Sequence, residues 1–427
     1  MKQVQTVDVR KKNDNRSVYA LIWLCWLAYS CSYLGKVNYA ANINQVMGYF
    51  NVSHAEAGLV STFLFFSYGI GQFVNGFFCK KYNVKWMMFL SLMVSGLINM
   101  AVAFTPSFEI VKYLWLVNGI ALSALWPTVI RLLSETLSKR DMAKASVIMG
   151  TTVASGTLLI YGLSALFTSF SAFKLAFVTA GIIMPTVAFI WLFAMPGITK
   201  RAKAVSDKYD EEDRAAAQLS SDRRDGNVGS RGALYLTIAI LAVCAIATNL
   251  INDGLKTWIP SIMKEQYDMG ESLSIVLSLA LPLVAIFSNI LAVKLHKRVP
   301  DFVMQCALAF GTSGAIIGVV IAGLSLNQFV LTLVGFAFVC FLVASCNNLI
   351  TSIFPLFMKD KINSGRMAGI LNGFCYVGST ISSYGLGLVA DNWGWNAVFW
   401  LLFAVCAVVV VFAGIYTIVK KIIEGEK

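Results

Sequence analysis

Tyr29-Ser30-Cys31-Ser32-Tyr33-Leu34-Gly35-Lys36-Val37-Asn38-Tyr39 lies deep inside an apolar segment that begins after Arg16 and runs to about Gly48. Tyr29, Tyr33 and Lys36 stand at i, i+4 and i+7, so a helix places all three on one face. A lysine in the middle of a membrane helix costs roughly 2.5–3.5 kcal/mol on insertion scales, so it is a functional candidate where it faces a cavity and not lipid. The competing reading is that Lys36 snorkels to a headgroup. The apolar run continues on both sides of it, which argues for the interior.

Working outward, the chain is 427 residues long, 58% hydrophobic and 13% charged, against about 25% charged residues in soluble domains. Uncharged runs of about 20 residues recur, each long enough to cross a hydrocarbon core of about 30 Å. They lack the alternation of barrel strands, so the expected class is an all-α membrane protein. The polar start lacks a cleavage site and is read as leading into a retained first span. Nine cysteines lie in or beside the apolar segments with no CxxC pair, and there are two histidines, His54 and His296. No metal, cofactor or disulfide framework is expected from that distribution.

Twelve spans are expected at 17–48, 54–79, 85–104, 110–136, 143–169, 173–196, 233–263, 271–294, 301–325, 328–357, 366–391 and 395–420. Ser53 and Glu56 form a capping box opening the second. The charged stretch 197–232 reads as a solvated linker between a six-helix unit at 1–196 and another at 233–427. Basic residues crowd alternate loops: the N-terminus, Lys80/Lys81/Lys85, Lys139/Arg140/Lys144, the linker, Lys294/Lys297/Arg298, Lys359/Lys361/Arg366 and Lys420/Lys421. The positive-inside rule then puts both termini in the cytoplasm. The net charge of +12 is read as a topology signal, and no nucleic-acid partner is expected. Gly150, Tyr161 and Gly162 recur 223 residues later as Gly373, Tyr384 and Gly385. Asn75 and Lys80 are echoed by Asn289 and Lys294. Two parallel six-helix repeats fit this pattern.

With that organisation in place, four short stretches resemble the major facilitator superfamily, and within it the organophosphate:phosphate antiporter branch. They are Tyr33 through Lys36 to Tyr39; Trp126-Pro127 with Arg131; Gly254 through Trp258-Ile259-Pro260; and Ala368-Gly369 through Tyr376 and Gly378, then Asp391 to Gly394-Trp395. The resemblance implies two pseudo-symmetric six-helix bundles that rock about a central site. In that branch one arginine from span one and one from span seven grip phosphate. Here Lys36 stands at the first position and Asn252 at the second. An ammonium acts as a point charge and cannot replace the bidentate fork of arginine. Lys80 also occupies the acidic position of the superfamily loop pattern that follows Gly76.

The candidate substrate-binding residues are Lys36, Tyr29, Tyr33, Trp126, Arg131, Asn249, Asn252, Asp253, Lys256, Asn347, Asn348, Asn372 and Tyr376. In span seven, Asn249, Asn252, Asp253 and Lys256 share a helical face. Their amides can donate to a carboxylate, phosphate or hydroxyl. The plain structural reading is that Asp253 and Lys256 neutralise one another, that Arg131 caps carbonyls near Glu135, and that Tyr68 and Trp126 are packing. Thr151, Thr152 and Ser155 suit close helix packing as well as a cavity wall. No nucleophile–base constellation or nucleotide loop is present, so an enzyme or pump is not expected. The expectation is a monomeric secondary transporter of a small organic anion, organophosphate or carboxylate, in the cytoplasmic (inner) membrane, working by alternating access. The alternatives are a proton-coupled carrier of a neutral or zwitterionic solute using Asp253, and a transporter-like membrane sensor.

Overall fold

The apolar runs form helices because a chain in hydrocarbon must satisfy every backbone donor and acceptor within itself. In this computed structural model residues 2–78, 81–217, 231–358 and 364–424 are described. Lys80, Lys359, Lys361 and the linker residues 218–230, Arg223 and Arg224 among them, lie outside that set.

Ten helices among the described residues are long and apolar enough to cross a membrane, and a bent pair adds an eleventh. We label them α1 (Arg16–Ala41), α2 (His54–Asn75), α3 (Val84–Phe104), α4 (Phe108–Thr136), α5 (Arg140–Ser169), α6 (Lys174–Asp207) and α7 (Leu234–Tyr267). There follow α8 (Glu271–Ala285 with Ile290–Arg298, bent by 42°), α9 (Phe302–Ser325) and α10 (Phe329–Ile353). The last helix, Met367–Lys420, has 54 residues, about 81 Å at 1.5 Å per residue, far more than one crossing needs. It breaks at Gly394, whose φ of 75° and ψ of 173° suit only a residue without a Cβ. We therefore divide it into α11 (367–393) and α12 (395–420), which makes twelve crossings.

Two boundaries differ from the sequence reading. The first span, expected at 17–48, ends at Ala41, and a turn at Asn42 separates it from a short helix, Ile43–Phe50. The helix carrying α6 runs on to Ala217, well into the stretch expected to be a solvated linker. Residues 200–217 are rich in Ala, Lys and Glu, which favour helix even in water, and Ala202, Val205 and Ser206 are buried.

α1 packs against α5 and α6, α3 against α6, and α2 against α4; α7 packs against α10 and α11, and α9 against α10. Between the halves α2 meets α11 and α5 meets α8. The repeat offset exchanges those two pairs, as a pseudo-twofold along the membrane normal requires. Large apolar side chains such as Phe193 (79% exposed) and Phe104 (72%) face outward, where lipid would cover them.

Buried amides hold α1 in place. Asn38 donates to Asn99 Oδ1 at 2.7 Å, while Asn99 and Asn118 donate to the Gly35 carbonyl at 3.3 and 2.8 Å. Ser95 donates to Asn118 Oδ1, and Asn42 donates to Ser164 Oγ at 2.9 Å. At the far end of the chain Asp301 caps α9 through Val303 N and Met304 N and accepts from Lys420 Nζ at 2.8 Å. Burial alone would raise that carboxyl, but the Lys420 bond and the two backbone donors together hold it below the ordinary carboxylate range.

The amide network anchors the residue next to Lys36, so breaking it loosens α1. Asn99→Leu should lower stability by about 0.6–1.7 kcal/mol, the range for interhelical hydrogen bonds in membranes, read as a lower melting temperature in detergent. An unchanged melting temperature would show that the network does not anchor α1.

Candidate functional site

Helical spacing brings Tyr29, Tyr33 and Lys36 to one face of α1, and packing supplies what surrounds them. The Lys36 ammonium lies 3.8 Å from the centre of the Tyr68 ring, 5.4 Å from Tyr33 and 5.8 Å from Tyr376. Tyr68 comes from α2 and Tyr376 from α11, so both halves of the protein contribute. The two rings meet at 4.8 Å. Gly69 permits this, because a Cβ there would sit 2.7 Å from Tyr376 Cβ. Tyr29 lies 5.7 Å from Tyr33 and 4.8 Å from Trp126, and Gln72 donates to the Tyr68 hydroxyl at 3.1 Å.

A cation over aromatic faces gains roughly 0.5–2 kcal/mol, more as water is excluded. That does not neutralise it. Among the described residues no carboxylate lies within 4.0 Å of Lys36. The side chain is half-buried; Asp253 of the second half acts on it electrostatically but not as an ion pair, so direct contact with the ammonium is left open to an anion.

Opposite, the second half builds a chain of amides and hydroxyls. Asn347 donates to Asn249 Oδ1 at 2.5 Å, Asn249 donates to Ser379 Oγ at 3.2 Å, and Ser379 donates to Asp253 Oδ2 at 2.6 Å. The chain thus joins α10, α7 and α11 and ends on a carboxylate. Asn252 is buried and its Oδ1 has no partner among the described residues. The helix of α10 widens into a π-helical turn over Leu349–Ile353, immediately after Asn347 and Asn348; such bulges often sit at functional sites.

Not every candidate joins this group. Arg131 donates from Nε to Glu135 at 2.7 Å and from a terminal nitrogen to the Tyr82 carbonyl at 2.9 Å, contacts at the end of α4. Asn348 donates to Ser288 Oγ at 3.1 Å, toward α8. Asn372 is half-buried on α11, one turn before Tyr376. Asp253 and Lys256 form no ion pair within 4.0 Å of each other. The Lys256 carbonyl accepts from Tyr161 across the half-to-half interface at 3.4 Å. Three residues escaped the sequence reading. Tyr68 had been read as packing, and Ser379 had no local signal beyond standing one turn after Tyr376. Trp26, likewise unexpected, donates to Thr151 at 2.9 Å.

A family model described as Major Facilitator Superfamily matches residues 25–383. A probable hexose phosphate transport protein from Chlamydia trachomatis serovar D is 20% identical, with 96% of this chain and 92% of that protein covered. Membrane sensor protein UhpC of Escherichia coli K12 is 21% identical over 92% of this chain and 90% of that one. Sugar phosphate exchanger 3 of Bos taurus is 23% identical over 83% and 78%. Among solved structures, a bacterial homolog of the human lysosomal transporter Spinster, inward-facing and occupied, superposes with a TM-score of 0.67 at 12% identity, covering 96% of this chain and 97% of that one.

An unpaired charge inside a membrane protein opposes stability. Lys36→Met should therefore leave the melting temperature of the ligand-free protein unchanged or raise it, by on the order of 1 kcal/mol. A fall of several degrees would mean that Lys36 is structural and not held for a ligand.

Proposed function

The chain belongs to the Major Facilitator Superfamily, and we propose that it carries a small organic anion, an organophosphate or a carboxylate, between a 1–196 bundle and a 233–427 bundle that rock about Lys36. The single observation that carries this reading is the half-buried ammonium with no ion pair among the described residues, ringed by tyrosines from both halves. A bound anion supplies the missing charge and, by touching residues of both bundles, couples its own binding to their movement. The relatives named for hexose phosphate and sugar phosphate support an organophosphate. Asn252, at the position of the branch's second arginine, weakens the grip on a dianion. A singly charged group held by Lys36, with its hydroxyls on Asn249, Asn347 and Asp253, fits these side chains better.

The same reading makes the protein a monomeric, multi-pass inner-membrane carrier with no cofactor and no catalytic step. Both termini and the 197–232 linker lie in the cytoplasm, on the strength of the basic loops. Asp253 is tied to Ser379 by a hydrogen bond of 2.6 Å within the second half. Exchange of one anion for another is preferred to proton symport, because the charge on which the reading rests is the Lys36 ammonium.

Purified protein should be screened by thermal shift against inorganic phosphate, sugar phosphates and hydroxycarboxylates. A binder at a hundredfold excess over its Kd adds about 2.7 kcal/mol to stability. Counterflow of that compound in proteoliposomes should persist without a pH gradient and in Asp253→Asn. It should vanish in Lys36→Ala and survive in part in Lys36→Arg. Normal counterflow in Lys36→Ala would overturn the anion site. Binding without counterflow would favour a sensor, the role named for the Escherichia coli relative.

A further inference from the structure

At the end of the molecule where α2 begins, the two halves meet through a histidine. His54 Nδ1 lies 2.7 Å from Asp391 Oδ1, and Nε2 lies 2.8 Å from Glu265 Oε1. His54 belongs to the first half, whereas Asp391 on α11 and Glu265 on α7 both belong to the second. The Asp391 carboxylate also accepts from the backbone N–H groups of His54 and Ala55, at 3.1 and 2.7 Å, so it caps α2 from across the interface. Trp395 donates to Glu265 Oε2 at 2.9 Å. Trp258 and Trp395 cover the imidazole, with ring centres 5.5 and 5.3 Å away. Gly387 lets the helices close this far, because a Cβ there would lie 2.7 Å from the His54 carbonyl oxygen.

A neutral imidazole has one N–H and one lone pair, and an ionised carboxylate only accepts. With a carboxylate oxygen at hydrogen-bond distance on each ring nitrogen, a neutral ring would turn a lone pair toward one of them. The doubly protonated ring satisfies both. Other charged groups at this end stand apart from the histidine: Glu109 pairs with Lys112 inside the first half, Lys174 lies over the Tyr49 ring, and Asp268 follows α7 in the second half. Glu56 accepts from Ser53 N at 2.9 Å, within α2's capping box. Lys264 pairs with Glu271 at 2.7 Å, wholly inside the second half, and Glu271 also accepts from Gln45 at 3.1 Å. His54 with Asp391 and Glu265 is therefore the one cluster of ionic contacts, among the described residues, that crosses the interface.

We propose that His54 is a proton-binding site that locks this end of the molecule, closing the halves when the ring is protonated and releasing them when the proton leaves. The proposal rests on the alternating-access reading, in which the halves separate here during the cycle. Separation takes the imidazole from both carboxylates at once, so the closed form binds the proton more tightly than the open form. Linkage then sets the direction. Closure is fully supported below about pH 6.5, the ordinary imidazole value, and weakens as pH rises through the closed form's higher one. One proton allows the ratio of open to closed to grow by at most about tenfold per pH unit. The proton enters and leaves on the same side, so the lock senses pH there without moving protons across the membrane.

Hydrogen exchange of the full chain in lipid nanodiscs, with no substrate added, tests this. Amides 55–62 and 384–391 should open more as pH rises from 5.5 to 8, after correction for intrinsic exchange. His54→Gln, which keeps a polar side chain but cannot titrate, should remove that dependence. Glu265→Gln leaves one carboxylate on the ring and should move the midpoint to lower pH. A flat wild-type profile, or an unaltered one in His54→Gln, overturns the lock. If His54→Gln lacks the wild-type helical circular dichroism, the Glu265→Gln midpoint decides, and no shift there overturns it. Because no transport is measured, a protein that opens with pH but carries nothing would sink the carrier reading and leave the lock standing. A protein that carries an anion but shows a flat profile would do the reverse.

Discussion

An ammonium group in the middle of a hydrocarbon layer has to be solvated by something, and the architecture around Lys36 follows from that requirement. It sits at the interface of the two halves, under rings from α1, α2 and α11. Tyrosine faces provide a partial substitute for water, being weakly attractive to cations and tolerant of an apolar setting. Asp253 adds an opposite charge, but from beyond ion-pair distance. The buried asparagines next to it do a different task. Asn99 and Asn118 fix the Gly35 carbonyl at 3.3 and 2.8 Å, so the lysine is presented from a rigid stretch of helix.

The two halves play unequal parts at this centre despite their shared plan. The first half contributes the charge and most of the rings. The second contributes Tyr376 and a hydrogen-bonded relay from Asn347 to Asp253. An anion anchored on one side and hydrogen-bonded on the other gains most when both sides approach, which is what links binding to rocking. Away from the centre the described cross-half hydrogen bonds gather toward the His54 end, including Ser261 to Asn44 at 2.6 Å and Ser272 to the Ala165 carbonyl at 2.8 Å. The structure is thus a form closed on that side, and the carboxylates around His54 mark where closure has its strongest polar contacts.

Membrane character and the approximate positions of the spans were legible in the sequence, because the bilayer imposes a local rule. Each crossing must be about 20 apolar residues long, and an exception such as Lys36 stands out against them. The capping box at Ser53 and Glu56 was equally local and reads the same in both, at 2.9 and 3.2 Å. Helical periodicity also placed Tyr29, Tyr33 and Lys36 on one face without reference to any other helix.

What only tertiary structure decided are the relations between helices. Tyr68 looked like packing because nothing near it in sequence shows that Lys36 will lie over its ring. Asp253 and Lys256, one turn apart, looked like partners, but Asp253 turns instead to Ser379 on another helix. His54 stood as an isolated histidine, since Glu265 and Asp391 lie 211 and 337 residues away. Arg131, matched to a motif, is taken up by Glu135 and Tyr82. A sequence records which side chains share a helical face, since that depends on a fixed turn. It does not record which faces meet, since that depends on how α2, α7 and α11 close around one another.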